Sequence, residues 1–376
     1  MIALLLLLTL QITPEIVVSG KRLDDAYREC VDQACPPLRD AQVSIAYAER
    51  QFREGAYVKA RKTLAAAVAR NKRYAATDPK PVAAIYEAYA TAALHDGEMD
   101  VYRKAVAGQV GTLRRNLPPT DPAVIAVAFT TGDMWVALNK GEAADSSYRA
   151  VEQRSLAQGN ATLAMVAALR RVGLASAQGY PDKAARLMAE AEARPAAADP
   201  ALRTVLRVVR LRLAARRTDN RQVDQLVEEI GHDVSTQPVL IWAPPYEPTA
   251  QAAARDAAHK FDLVDPVAPT SGEFDPVKWV DIGFWIRPDG RTEQSEILRG
   301  SQSTSWASYL LKQVSARRYT GIPTANGNTG VYRIERFTLR GTYVVPKGSL
   351  VRRRAGPAEL EVIDLTEPDT SPTPSR

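Results

Sequence analysis

The chain has 376 residues, 45% of them apolar and 24% charged, and a formal net charge of +6 at pH 7. That is enough length for two or three domains and enough apolar material to bury a real core. A balance this mildly basic is too weak to argue for nucleic acid, and it excludes neither protein partners nor an anionic surface.

The chain opens with an apolar block, Ile2–Leu10, broken by Gln11, Pro14 and Glu15. A membrane span needs about 20 apolar residues, so this block fits the core of a signal peptide instead. Val17 and Val18 followed by Ser19 and Gly20 suit a cleavage site, and residues 1–20 are read as a leader for export. A basic segment before the block is missing, which leaves open an upstream start and an inner-membrane anchor, or a buried first helix. The two cysteines, Cys30 and Cys35, follow directly. An exported chain meets an oxidising compartment, where an even count favours a disulfide. Pro36 and Pro37 stop a helix there and let the side chains turn toward each other, and no histidine lies near enough to make a metal site.

Residues 21–232 are assigned to an all-α region rich in Ala, Leu, Arg and Glu. In "EGAYVKARKTLAAAV", Gly55 precedes Tyr57, and Ala60, Leu64 and Ala67 follow at helical spacing. This resembles the second half of a tetratricopeptide repeat, in which a glycine opens the interhelical turn, an aromatic wedges the helices and small alanines let the backbones approach. "QGYPDKAARLMAEAEARP" repeats the offsets with Gly179, Ala184, Met188 and Ala191, and "DGEMDVYRKAV" and "KGEAADSSYRAV" supply Gly97 and Gly141. The four glycines lie 42, 44 and 38 residues apart, longer than the strict period of about 34, and the Trp-Leu-Gly half of the motif is missing. A degenerate solenoid of helical hairpins is expected, serving as a peptide-binding surface or as a spacer. Within it, Leu202, Val205, Leu206, Val209 and Leu213 share one face of a helix, with Arg203, Arg207, Arg210 and Arg217 on the other. Such a basic face suits an acidic partner or a membrane surface, and equally a solvated helix whose Arg stems cover apolar neighbours.

Residues 233–275 are punctuated by prolines, among them Pro238, Pro244, Pro245 and Pro248, and read as a linker with a short helix at Thr249–Phe261. A strand is then expected in "WVDIGFWIR", where Val280, Ile282, Phe284 and Ile286 alternate with polar residues, followed by a turn at Pro288-Asp289-Gly290 and a second strand at Thr292–Leu298 with Ile297 inward. In the helix that follows, Trp306, Tyr309, Leu310, Gln313 and Val314 share a face, with Ser303 or Ser305 as its cap. The closing strand, "GVYRIERFTLRGTYVV", shifts its apolar phase between Ile334 and Phe337, which suggests a bulge at Glu335-Arg336.

The strand-strand-helix-strand order over residues 276–345, carried by "DIGFWIRPDGRTEQSEIL", the helix ending "RRY" and the closing "RIERFTL", resembles the C-terminal domain of the TonB family. The resemblance implies a periplasmic location and β-augmentation by an extended segment of an outer-membrane transporter. It places that peptide on the edge of Val331, Tyr332, Arg333, Ile334, Glu335, Arg336, Phe337, Thr338, Leu339, Arg340, Gly341, Thr342 and Tyr343, with outward residues such as Arg340 contributing little. The family's proline soon after the aromatic of "RRY" is delayed here to Pro323, and its proline-rich periplasmic stretch is replaced by helical repeats. Residues 346–376 read as a disordered tail, although "LEVIDL" within it could pair with a strand.

No cofactor or catalytic motif is recognised: His95, His232 and His259 are scattered, and "HDGEMD" lacks the Gly and Glu of a calcium loop. The expected protein is therefore non-enzymatic, part α-helical solenoid and part α+β, and binds a protein or peptide of the cell envelope. A TonB-type energy transducer with an upstream start and a self-associating envelope protein are the other readings.

Overall fold

The computed structural model describes residues 22–215, 238–244, 246, 277–301, 303–322, 330–341, 343–344, 353–354 and 358–366. The leader at residues 1–20, the helix at Thr249–Phe261, Arg217 and Thr342 lie outside them. The chain divides into two compact units, the first ending at Leu206 and the second starting at Arg207.

The first unit is a series of helical hairpins: α1 (Leu23–Gln33), α2 (Pro37–Arg53), α3 (Tyr57–Asn71), α4 (Pro79–His95), α5 (Met99–Asn116), α6 (Pro122–Ala126), α7 (Thr130–Ala137), α8 (Gly141–Ala157), α9 (Ala161–Ala177) and α10 (Pro181–Glu192), with α11 (Pro200–Ala215) crossing the boundary. Proline stands at the start of α2, α4, α6 and α10, where its missing N–H has no intrahelical partner to lose. The hairpin turns share one construction. Gly55, Gly97, Asn139 and Gly179 have φ of 77°, 75°, 54° and 79°, the left-handed conformation that ends a helix. The residue after each donates its N–H back five residues: Ala56 to Gln51, Glu98 to Ala93, Lys140 to Trp135 and Tyr180 to Ala175, all at 2.8–2.9 Å. In the third hairpin the left-handed residue is Asn139 and not Gly141, which is the first residue of α8. With Asn139 in place the spacings become 42, 42 and 40 residues, more regular than the glycines alone imply.

The packing inside the hairpins follows the tetratricopeptide-like pattern. Ala60, Ala67, Ala144, Ala184 and Ala191 are fully buried. Tyr57 packs edge-on to Phe52 with ring centroids 4.9 Å apart, and Phe52 meets His95 of the next hairpin at the same separation. Buried carboxylates tie helix to helix: Arg70 of α3 to Asp40 of α2 at 2.7 Å, Arg61 of α3 to Asp96 at 2.6 Å, and Arg171 of α9 to both Asp145 and Glu152 of α8 at 2.9 and 2.7 Å. Cys30 and Cys35 form a disulfide across the turn after α1, with their Cα atoms 4.7 Å apart. Tyr27 stacks on Tyr47, and Arg50 forms a double hydrogen bond to Asp24, so α1 is held on α2 by more than the disulfide. In α11, Leu202, Leu206 and Val209 are buried and Arg203, Arg207 and Arg210 are exposed; Val208 and Leu211 are buried as well, so the apolar face is wider than the sequence stripe.

The second unit is built on a four-stranded antiparallel sheet in the order β3-β2-β5-β8. Its strands are β2 (Lys278–Ile286), β3 (Thr292–Gly300), β5 (Val331–Arg340) and β8 (Glu359–Asp364). Helix α12 (Ser308–Ser315) lies between β3 and β5 in the chain. Val280, Ile282, Phe284, Ile286 and Phe337 from the sheet form one buried core with Leu310 and Val314 of the helix and Ala307 before it. Trp306 and Tyr309 pack against this core but are only partly buried; Trp306 lies in the turn before the α-helix proper, which starts at Ser308. No serine side chain caps it; Ser303 and Ser305 bond each other.

Two expectations for this unit are corrected. Part of the supposed linker belongs to the fold: β1 (Leu240–Trp242) pairs with β4 (Arg318–Tyr319), Ile241 is fully buried, and Gln313 donates to the carbonyl of Pro244 at 3.2 Å. The bulge at Glu335-Arg336 is absent, since β2 and β5 pair without a break from Lys278↔Leu339 to Ile286↔Val331. The apolar phase shifts there because Glu335 faces the core as a charged residue with a buried partner, Arg317. The irregularities lie instead between β2 and β3, where Gln294 has φ of 50°.

Candidate docking site on the sheet

Strand β5 is central in the described sheet, with β2 on one side and β8 on the other. The open edge expected at Val331–Tyr343 is therefore filled from Glu335 to Arg340 by the chain's own later residues. The pairing is antiparallel, from Glu335↔Asp364 to Arg340↔Glu359. It extends past the strand end: Leu365 donates to the carbonyl of Ile334 at 2.8 Å, and Ile334 donates to the Thr366 hydroxyl at 3.0 Å. The expectation of a disordered tail fails for these residues, and "LEVIDL" is the segment that pairs. Alternation explains why: Leu360 packs against the sheet core, and Val362 lies opposite Phe337.

The opposite face carries charge. Arg340 donates to Glu359 at 2.8 Å and to Glu361 at 2.6 Å, carboxylates two residues apart that alternation sets on one side of β8. Arg340 is buried, contrary to its expected outward position, because β8 lies over the edge it was to line. Burial pushes the Glu361 carboxyl up, and Arg340 acts against that shift. Beside this pair, buried Arg336 makes a double contact with buried Asp281 of β2 at 2.6 and 2.9 Å, and Arg336 stacks over Trp279 at 4.0 Å. Arg299 of β3 reaches the same Asp281 at 2.6 Å. Thr338 is buried between them.

Under the sheet, the "RRY" segment supplies a polar hub. Buried Arg317 donates to Glu335 at 2.8 Å, to the Tyr319 hydroxyl at 3.2 Å and to Gln313 at 3.0 Å, and lies between the rings of Phe284 and Phe337. Burial pushes the Tyr319 hydroxyl up to about 12, so it stays neutral and able to accept from Arg317. Of the remaining expected site residues, Arg333 donates to the carbonyl of Pro238 at 3.0 Å, Tyr332 packs on Trp285 with ring centroids 5.2 Å apart, and Gly341 follows β5. Tyr343 begins the two-residue strand β6 (Tyr343–Val344), which pairs with β7 (Arg353–Arg354). Sequence reading missed Arg317, Asp281 and the Glu359–Glu361 pair; the signal for the last was the alternation in "ELEVID".

Among the described residues, no group of three histidine, cysteine or carboxylate side chains could hold a metal ion, and no helix is long and apolar enough to cross a membrane. No family model and no curated protein matches the chain. Among solved structures, BtubC (BKLC) from P. vanneervenii is similar at 16% identity, with 55% of this chain and 84% of that chain covered and a TM-score of 0.41. A kinesin light chain of Podosopora anserina with nearly identical TPR-like repeats is similar at 16% identity, over 52% of this chain and 94% of that chain, with a TM-score of 0.40. The Rap conjugation gene regulator of the plasmid pLS20, in complex with the Phr peptide, is similar at 12% identity, over 68% of this chain and 63% of that chain, with a TM-score of 0.37.

Proposed function

We propose that this chain is an exported, non-enzymatic binding protein of the cell envelope. The helical hairpins hold one protein partner, and the sheet docks an extended peptide alongside β5 by β-augmentation. The observation that supports this reading is the pairing of β5 with a strand from beyond an 18-residue connection, residues 341–358. Backbone hydrogen bonds supply the affinity in such a mode, and alternate side chains supply the choice of partner. The partner we propose, a segment of an outer-membrane transporter, rests on the resemblance of residues 276–345 to the TonB family. The disulfide at Cys30–Cys35 is in keeping with an oxidising compartment.

The test is photo-crosslinking in the envelope of the cell that makes the protein, with the reactive residue placed at Leu339 and, separately, on the helical unit at Val58, which is exposed. A transporter captured from Leu339 through an extended segment supports the reading. Capture of no envelope protein from Leu339, in a chain shown to be exported and folded, removes the docking role.

A further inference from the structure

The strand that fills the β5 edge is not built like the strands that form the core. Four residues of β2 enter the buried core, whereas β8 contributes only the partly buried Leu360 to its packing, and Val362 remains more than a third exposed. Its six residues are joined to the sheet through one neighbour, β5, with Glu359 and Glu361 meeting Arg340 and Asp364 lying 3.9 Å from Arg333. Both edges of the sheet are single-sided, yet β3 at the far edge carries the left-handed Gln294 and two breaks of register, features that blunt an edge against added strands. On the β5 side the register is unbroken, so that side accepts a strand cleanly.

We propose that Glu359–Asp364 is an autoinhibitory strand: a segment of the chain that lies on the docking edge and must leave before a partner's strand can pair there. This rests on the docking reading above and adds its regulation. Arg340 is the latch. β8 covers Arg340 and supplies both Glu359 and Glu361 to its guanidinium, so a strand that takes the place of β8 buries that charge again, and a buried charge without those carboxylates is costly. A displacing segment must therefore bring its own carboxylates two residues apart on one face, with apolar residues at the intervening and following positions to stand where Leu360 and Val362 stand. The chemistry asked of the partner is an extended acidic–apolar alternation. A segment carrying lysine at the acidic positions would set like charge against Arg340 and fail.

An intramolecular occupant lowers the apparent affinity for any competitor by the fraction of time the edge is free. The probe is a labelled peptide with the sequence of residues 357–368, used against the full chain and against a chain ending at residue 345. The shortened chain is expected to bind the probe at least about tenfold tighter than the full chain. A probe carrying Glu359→Lys and Glu361→Lys is expected to lose that binding. In the full chain, Glu359→Gln with Glu361→Gln is expected to speed amide exchange of residues 359–364 while exchange in Val280–Ile286 stays unchanged. Equal binding of the probe by the full and shortened chains overturns the autoinhibition and leaves the docking reading standing. A folded shortened chain that binds no probe overturns the docking reading itself. If the shortened chain no longer folds, or if amides of 359–364 in the full chain exchange only together with those of β2, β8 is a structural strand and the proposal fails.

Discussion

Arg317 and Glu335 form a buried ion pair on the core face of the sheet, with Arg317 Nη1 2.8 Å from a Glu335 carboxylate oxygen. Removing one partner strands the other charge in an apolar surrounding, at a cost of about 3–5 kcal/mol. Arg317→Met is expected to lower the denaturant midpoint of the second unit by that order, and Arg317→Met with Glu335→Leu to recover most of the loss. A double variant no more stable than the single one would show that the pair is not enclosed.

The turn stereochemistry predicts opposite outcomes for two glycines. Gly97 has φ of 75°, where a Cβ costs about 1–2 kcal/mol, so Gly97→Ala should destabilise the helical unit by that much. Gly141 is the first residue of α8, and an added Cβ there would meet only the far end of the Gln178 side chain. Gly141→Ala should leave thermal stability unchanged or slightly raised. Equal losses at both positions would place the left-handed residue of the third hairpin at Gly141 after all.

Asp40 sets an acid limit on the first hairpin. Burial alone would raise its carboxyl, but hydrogen bonds from Arg70, Ser44 and Asn71 outweigh burial and hold it below the ordinary carboxylate value. A carboxyl lowered in the folded state stabilises fully above its unfolded pKa of about 3.9, and that contribution fades as pH falls through the folded value. Thermal stability of the helical unit should therefore drop as pH is taken from about 5 downward. In Asp40→Asn that drop should be shallower, as followed by helical ellipticity. An unchanged slope would mean that Asp40 does not couple folding to protons.

Ala60 is fully buried where α3 closes on its neighbours. Ala60→Leu should overpack the contact and cost about 1–3 kcal/mol, read as a lower denaturant midpoint of the helical unit. An unshifted midpoint would contradict the close helix contact.

What the sequence revealed depends on how local the signal was. The hairpin turns were legible because a left-handed residue must sit next to a helix end, and Gly55, Gly97 and Gly179 announce it. Asn139 was missed because asparagine adopts that conformation without advertising it, and the nearby Gly141 drew attention away. In the sheet, the alternation of β2 and the Pro-Asp-Gly turn were equally local. The phase shift at Glu335 misled because a charged core residue and a bulge leave the same mark on an apolar pattern; only the partner, Arg317, 18 residues earlier, separates them. The place of β8 could not be read from β5 alone, since strand order is set by segments far apart in the chain.

The position of β8 also orders events in time. A chain is made from its N-terminus, so β2, β3, α12 and β5 are all available before Glu359–Asp364 follows. During that interval β5 lacks the neighbour that β8 later provides. On the proposed docking reading, an acidic extended segment present at that moment would meet the site before the tail does. Newly made molecules would then load a partner more readily than aged ones, and the history of each molecule, as well as its affinity, would decide whether its edge is taken.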